Sequence, residues 1–145
     1  MPAKWDISTQ TKAPVSQVMD YFTHPENLPK IHPDFVKSVT IKSRDADVVM
    51  FEQQMELMRR KIVSQNKLTA DRAGNKIEIN TLEGDGKGSK ITMNFVPGQN
   101  GTEIQYHAEM ELGALGVFAK GPAKSAMEKT AKEDASQLDK NATGS

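Results

Sequence analysis

Residues 4 to 12 alternate Trp5, Ile7, Thr9 and Thr11 against Asp6, Ser8, Gln10 and Lys12. A period of two predicts a strand with one face on a core and the other in water. Pro14 then opens a helical stretch in which Val15, Val18, Met19 and Phe22 recur at helical spacing, until His24-Pro25 interrupts the backbone hydrogen bonding. Glu26 to Ile31 carries Leu28 and Ile31 through a second short helix and closes at His32-Pro33, because the residue before a proline is pushed out of helical geometry.

From Phe35 the pattern changes to β-favouring runs separated by turn chemistry, which predicts strands over 35–43, 47–58, 61–71, 76–83, 89–97 and 101–111. The connections include Gly84-Asp85-Gly86-Lys87-Gly88 and Asn100-Gly101, the latter a strong hairpin signal because both residues accept positive φ. All are too short for a parallel crossover, so these strands pair antiparallel. Leu112 to Phe118 is apolar but rich in glycine and reads as a bridge or lid. After Gly121-Pro122, the segment from Ala123 to about Lys140 reads as one long helix, and 141–145 as a disordered tail. Residues 1–140 are expected to form one α+β domain, a seven-stranded curved antiparallel sheet around a long C-terminal helix, with two short helices after the first strand.

That arrangement has a consequence for volume. The presumed inner stripe of the last helix is Ala119, Ala123, Ala126, Met127, Thr130, Ala131, Asp134, Gln137 and Leu138, which has few bulky members for a concave sheet. Interiors normally pack to crystal-like density, so the shortfall predicts a ligand-sized pocket between sheet and helix.

Composition narrows the function classes. Nineteen basic and nineteen acidic side chains cancel, so no bulk positive field favours nucleic acid. With no cysteine there are no disulfides, thiolate metal sites or thiol nucleophiles, which fits a cytoplasmic address. No run approaches the length of a membrane span, and no stable membrane insertion is expected.

The element order, with Ala13-Pro14-Val15-Ser16-Gln17-Val18-Met19-Asp20-Tyr21-Phe22 followed by Pro25-Glu26-Asn27-Leu28-Pro29, resembles the START / polyketide cyclase / birch-pollen-allergen superfamily of helix-grip proteins, in its polyketide cyclase/dehydrase-like branch. The resemblance implies the fold over residues 3 to 140. It leaves function open, because that superfamily includes lipid carriers, cyclases and co-chaperone domains. Its plant members carry a glycine-rich loop early in the sheet, whereas Gly84 to Gly88 falls between the fifth and sixth strands here and precedes a strand rather than a helix. It reads as a hairpin turn, not a phosphate cradle.

The inward register of the strands supplies the candidate ligand-binding residues: Phe51, Gln53, Met55, Ser64, Asn66, Ile79, Met93, Phe95, Tyr106 and Met110, joined by Phe118 of the bridge and Met127 of the last helix. Gln53, Ser64, Asn66 and Tyr106 are the polar exceptions, placed either to orient a ligand carbonyl or hydroxyl or to bond one another. His24, His32 and His107 read as structural or solvent-facing, with His107 outward beside Glu103, Gln105 and Glu109. No catalytic residue, metal or cofactor is expected. The leading expectation is a carrier of a small hydrophobic or amphipathic molecule such as a lipid, isoprenoid, quinone or polyketide. The alternatives are a cyclase or dehydratase, which would need Glu52, Glu56 or His32 inside a closed pocket, and a protein-interaction module with a filled core. Arg59-Arg60-Lys61 reads as a solvated hairpin end.

Overall fold

The computed structural model describes residues 3–57, 59–111, 113 and 120–143. Strand β1 (Ala3–Thr11) is followed by helix α1 (Val15–Phe22), a 3₁₀ turn at Pro25–Asn27 and the single-turn helix α2 (Leu28–Ile31). Six strands come next: β2 (Val36–Asp45), β3 (Val48–Leu57), β4 (Arg60–Asp71), β5 (Lys76–Gly84), β6 (Lys90–Gly98) and β7 (Gly101–Met110). Helix α3 (Lys120–Thr143) completes the described chain. The strands form one sheet in the order β1-β7-β6-β5-β4-β3-β2, with every neighbouring pair antiparallel. This is the expected helix-grip architecture.

The register puts the anticipated residues on one face. Trp5, Ala108, Ile91, Ile79, Leu68 and Val49 stand opposite one another across six strands, and Ile7, Tyr106, Met93, Ile77 and Ala70 form a parallel row across five. Because the side-chain period is two, every second residue of each strand joins them on the inner face. Curvature comes from three bulges, where Lys37 and Lys42 on β2 and Leu82 on β5 are extra residues without a partner opposite. Gly84 at the end of β5 has φ +86°, and a Cβ there would lie 2.4 Å from the Val63 carbonyl oxygen, so only glycine fits.

Helix α3 differs from expectation at both ends. It begins at Lys120 and takes Gly121-Pro122 into its first turn, where proline is tolerated because first-turn N–H groups have no intrahelical acceptor. It also continues beyond Lys140 to Thr143, so residues 141–143 of the expected tail are helical. Gln137 Nε2 donates to Asn141 Oδ1 at 3.2 Å, and Ala142 packs against the core. Ala131, Asp134, Ala135 and Leu138 are buried on the inner stripe, and among the strands α3 lies nearest β1. The ends of that contact are marked by Trp5 Nε1, which donates to Met127 Sδ at 3.1 Å, and by Thr11 Oγ1, which donates to Asp139 Oδ1 at 2.7 Å. Among the described residues no helix is long and apolar enough to cross a membrane.

Candidate functional site

Inside the grip the two ends of α3 cover different surfaces. Towards its C-terminal half the core is sealed: Ile77, Ile104, Val18 and Leu138 are fully buried, and the Phe22 ring stacks on Phe95 at 5.6 Å and meets Tyr106 edge-on at 6.2 Å. Into this apolar region α3 inserts Asp134, which is only 4% exposed. A buried carboxylate must find donors, and three elements supply them. Tyr21 of α1 donates its hydroxyl to Oδ1 at 2.7 Å, His32 just after α2 donates from Nε2 to the same oxygen at 2.8 Å, and Tyr106 of β7 donates to Oδ2 at 3.2 Å.

His32 is itself 2% exposed, and its Nδ1 lies 2.9 Å from Glu133 Oε1. With a carboxylate oxygen at each ring nitrogen, the site favours the protonated imidazolium, in which both nitrogens donate. Burial pushes its pKa down, but the hydrogen bonds and charges of Asp134 and Glu133 outweigh that and hold it above its ordinary value. Burial first, and then the Asp134 charge, push the Tyr21 and Tyr106 phenols upward, so both remain neutral donors. The result is a saturated ion network joining α1, α2, α3 and β7.

Towards the N-terminal half of α3 the inner face is different. Gln53, Met55, Leu57, Ile62, Ile79, Thr81, Ile91 and Met110 share the inward register, yet all remain partly exposed, as do Ala123, Ala126 and Met127 on the helix. Of the twelve residues expected to line a ligand site, Phe51, Ser64, Asn66, Met93, Phe95 and Tyr106 are buried, while Gln53, Met55, Ile79, Met110 and Met127 keep accessible surface. Phe118 lies outside the described residues. The polar exceptions largely bond one another: Thr81 Oγ1 donates to Asn66 Oδ1 at 2.8 Å, and Asn66 Nδ2 donates to Ser64 Oγ at 3.0 Å. Tyr106 turns instead to Asp134. No buried polar side-chain atom among the described residues lacks a partner.

The remaining ionisable candidates lie elsewhere. Glu52 is paired with Gln65 on the outer face, and Glu56 stands there opposite Lys61. His107 is exposed between Asp6 and Glu109, as the strand register predicts, and exposed His24 bonds the Asp20 carbonyl through Nδ1 at 2.7 Å. His32, by contrast, is buried between Glu133 and Asp134. Tyr21, Glu133 and Asp134 were not among the anticipated site residues. The available signal was Asp134 itself, a carboxylate on a stripe otherwise destined for the core. Among the described residues no group of three or more His, Cys, Asp or Glu side chains is placed to hold a metal ion. A groove of about 490 Å³ between β1 and α3, lined by residues including Lys12, Lys132 and Lys140, is open to solvent.

Sheet, helix and interior together define a helix-grip protein. The sequence matches the polyketide cyclase / dehydrase and lipid transport family over residues 2–143, and the chain belongs to that family. No curated protein matches it in sequence. Among solved structures it is similar to the Zhui aromatase/cyclase from Streptomyces sp. R1128, with 10% identity, coverage of 98% of this chain and 96% of that one, and a TM-score of 0.82. A START superfamily protein from Mycobacterium smegmatis shares 19% identity over 94% and 97% of the two chains, with a TM-score of 0.79. The ginseng major latex-like protein 151 from Panax ginseng shares 10% identity over 94% and 97%, with a TM-score of 0.74. These likenesses establish a shared fold. Family and fold fit a protein that binds a hydrophobic ligand.

Proposed function

We propose that this protein holds a small hydrophobic or amphipathic molecule between the inner sheet face and the N-terminal half of α3, as a carrier rather than a catalyst. One observation carries the reading. Aliphatic and methionine side chains that point into the grip keep solvent-accessible surface there, while Ile77, Ile104 and Leu138 at the other end are fully buried. Inward apolar side chains lose their accessible surface when the space before them is filled, so retained surface is the signature of unfilled volume. Met55, Met110 and Met127 add deformable walls suited to an irregular apolar shape. Covering about 200 Å² of apolar surface there would contribute about 5 kcal/mol before association losses.

Catalysis is disfavoured by the state of the ionisable groups. His32, Asp134 and Glu133 are committed to one another, and the polar residues nearer the open end are amides and hydroxyls without a pKa suited to proton transfer.

The test is titration with the apolar fluorophore 1-aminoanthracene, comparing the wild type with Ile79→Trp. The wild type is expected to bind at micromolar concentration, and the indole to occupy the space and weaken binding at least about tenfold. The variant should also melt no lower than wild type, because a filled core would lose about 1–3 kcal/mol to the added bulk. An absence of wild-type binding, or strong destabilisation with binding unchanged, sinks the reading.

A further inference from the structure

We infer that the groove between β1 and α3 is a second binding site, separate from the grip, and that it takes a phosphate monoester. The groove is open to solvent and has a volume of about 490 Å³, within the roughly 300–1,000 Å³ of small-molecule sites. Its lining holds three ammonium groups, those of Lys12, Lys132 and Lys140, and one carboxylate, that of Asp139. Residues four apart share a helix face, so α3 presents Lys132, Ser136 and Lys140 in successive turns along one wall. Lys12, directly after β1, comes from the other wall. The hydroxyls of Thr9 and Ser136 also line the groove, and neither bonds a described residue.

Two of the cations are not matched by carboxylates. Asp139 Oδ1 is engaged on the β1 side, where it accepts from Thr11 Oγ1 and from the Lys12 backbone N–H, each at 2.7 Å. Burial pushes the Asp139 pKa up, but these hydrogen bonds outweigh it and hold the carboxyl below its ordinary value. It is therefore charged and offsets one ammonium. Lys140 stands in the last turn of α3, where a cation is accounted for by the negative end of the helix dipole. On the next flank of α3, Glu133 is held by His32 and Lys129 by Asp34. Lys12 and Lys132 are both exposed, and neither forms an ion pair with a described carboxylate. Three cations against one anion leave the groove with two positive charges in a chain whose total is zero. A phosphate monoester carries about 1.5 to 2 negative charges at pH 7 and three acceptor oxygens, enough for both ammonium groups and a hydroxyl. A carboxylate or a phosphate diester, with a single charge, balances only one of them.

The experiment is a proton–nitrogen NMR titration at low ionic strength with glycerol 3-phosphate and, as the singly charged comparison, dimethyl phosphate. It uses wild type, Lys12→Gln, Lys132→Gln and Lys124→Gln, the last removing an exposed α3 charge outside the groove. Glycerol 3-phosphate is expected to bind at about millimolar concentration, shifting the Lys12, Lys132 and Ser136 amides, and about fivefold more tightly than dimethyl phosphate. Lys12→Gln and Lys132→Gln should each remove most of that preference, and Lys124→Gln should keep it. Sedimentation with vesicles of equal parts phosphatidic acid and phosphatidylcholine identifies the source. Retention of the wild type, lost in the same two variants, puts the monoester on a lipid headgroup; no retention alongside glycerol 3-phosphate binding makes it a soluble ester. Equal weakening in all three variants overturns the proposal, because the effect is then a general field. So does equal binding of the two phosphates, or the absence of binding to both glycerol 3-phosphate and the vesicles. Each of these outcomes leaves the apolar site in the grip standing, since 1-aminoanthracene titration reads it separately.

Discussion

The two ends of the grip are built from the same strands and the same helix, yet they solve opposite problems. Under the C-terminal half of α3, large side chains and helices α1 and α2 fill the concave sheet, and the one carboxylate inserted there meets three side-chain donors. Under the N-terminal half the helix offers Ala123, Ala126 and Met127, and the sheet residues opposite stay partly exposed. The difference shows how a protein of this size separates stability from capacity. On the proposed reading, the sealed end supplies cooperative packing, which releases the other end from having to be filled.

The largest expected effect comes from breaking the sealed end at its polar centre. Asp134→Ala removes the acceptor of Tyr21, His32 and Tyr106 together, leaving a buried imidazolium and two buried hydroxyls short of partners. Breaking a buried ion pair from one side costs about 3–5 kcal/mol, and urea unfolding should register a loss of that size. A loss below about 1 kcal/mol would mean that water reaches the network and that the end is not sealed.

The same network makes the sealed end sensitive to pH. The groups facing His32 are Glu133 and Asp134 of α3, with Tyr21 of α1 and Tyr106 of β7 on the far side of Asp134. A histidine whose folded pKa is raised contributes stability that is fully present below the unfolded value, about 6.5, and is lost as pH rises through the folded value. Urea midpoints should therefore fall as pH rises above about 6.5 towards the raised folded value. In His32→Gln that slope should flatten. A wild-type profile flat across the window, or a slope that survives in His32→Gln, would show that the ring does not carry the charge assigned to it.

The asymmetry between the ends was only partly legible in the sequence. Alternation such as Phe51, Gln53, Met55 and Leu57 reports which face a residue takes, and short turns leave antiparallel pairing as the only option, so the sheet and its inward register could be read directly. The small residues of α3 likewise announced a thin cover. The ion network could not be read that way. Tyr21, His32 and Tyr106 lie 28 to 113 residues from Asp134 along the chain, and periodicity carries no information about which inward positions converge. Asp134 on a core stripe announced a need for donors without naming them. The start of α3 was displaced because Gly121-Pro122 signals a boundary equally well when it lies just inside a helix.

The smallest effect is expected at the open end, and its smallness is the point. Met55 faces inward between Val36 and Ile62 but keeps accessible surface. A methionine sealed in a core costs about 2–5 kcal/mol when cut to alanine, because contacts are lost and a cavity is left behind. Where one side of the thioether already faces unfilled space, those contacts are fewer and no new cavity is made, so Met55→Ala should cost no more than about 1 kcal/mol in urea unfolding. The same variant should weaken 1-aminoanthracene binding, since the side chain is a wall of the proposed site. A stability loss as large as that of a fully buried methionine would mean that this end is packed like the other, and the contrast on which the binding proposal stands would disappear.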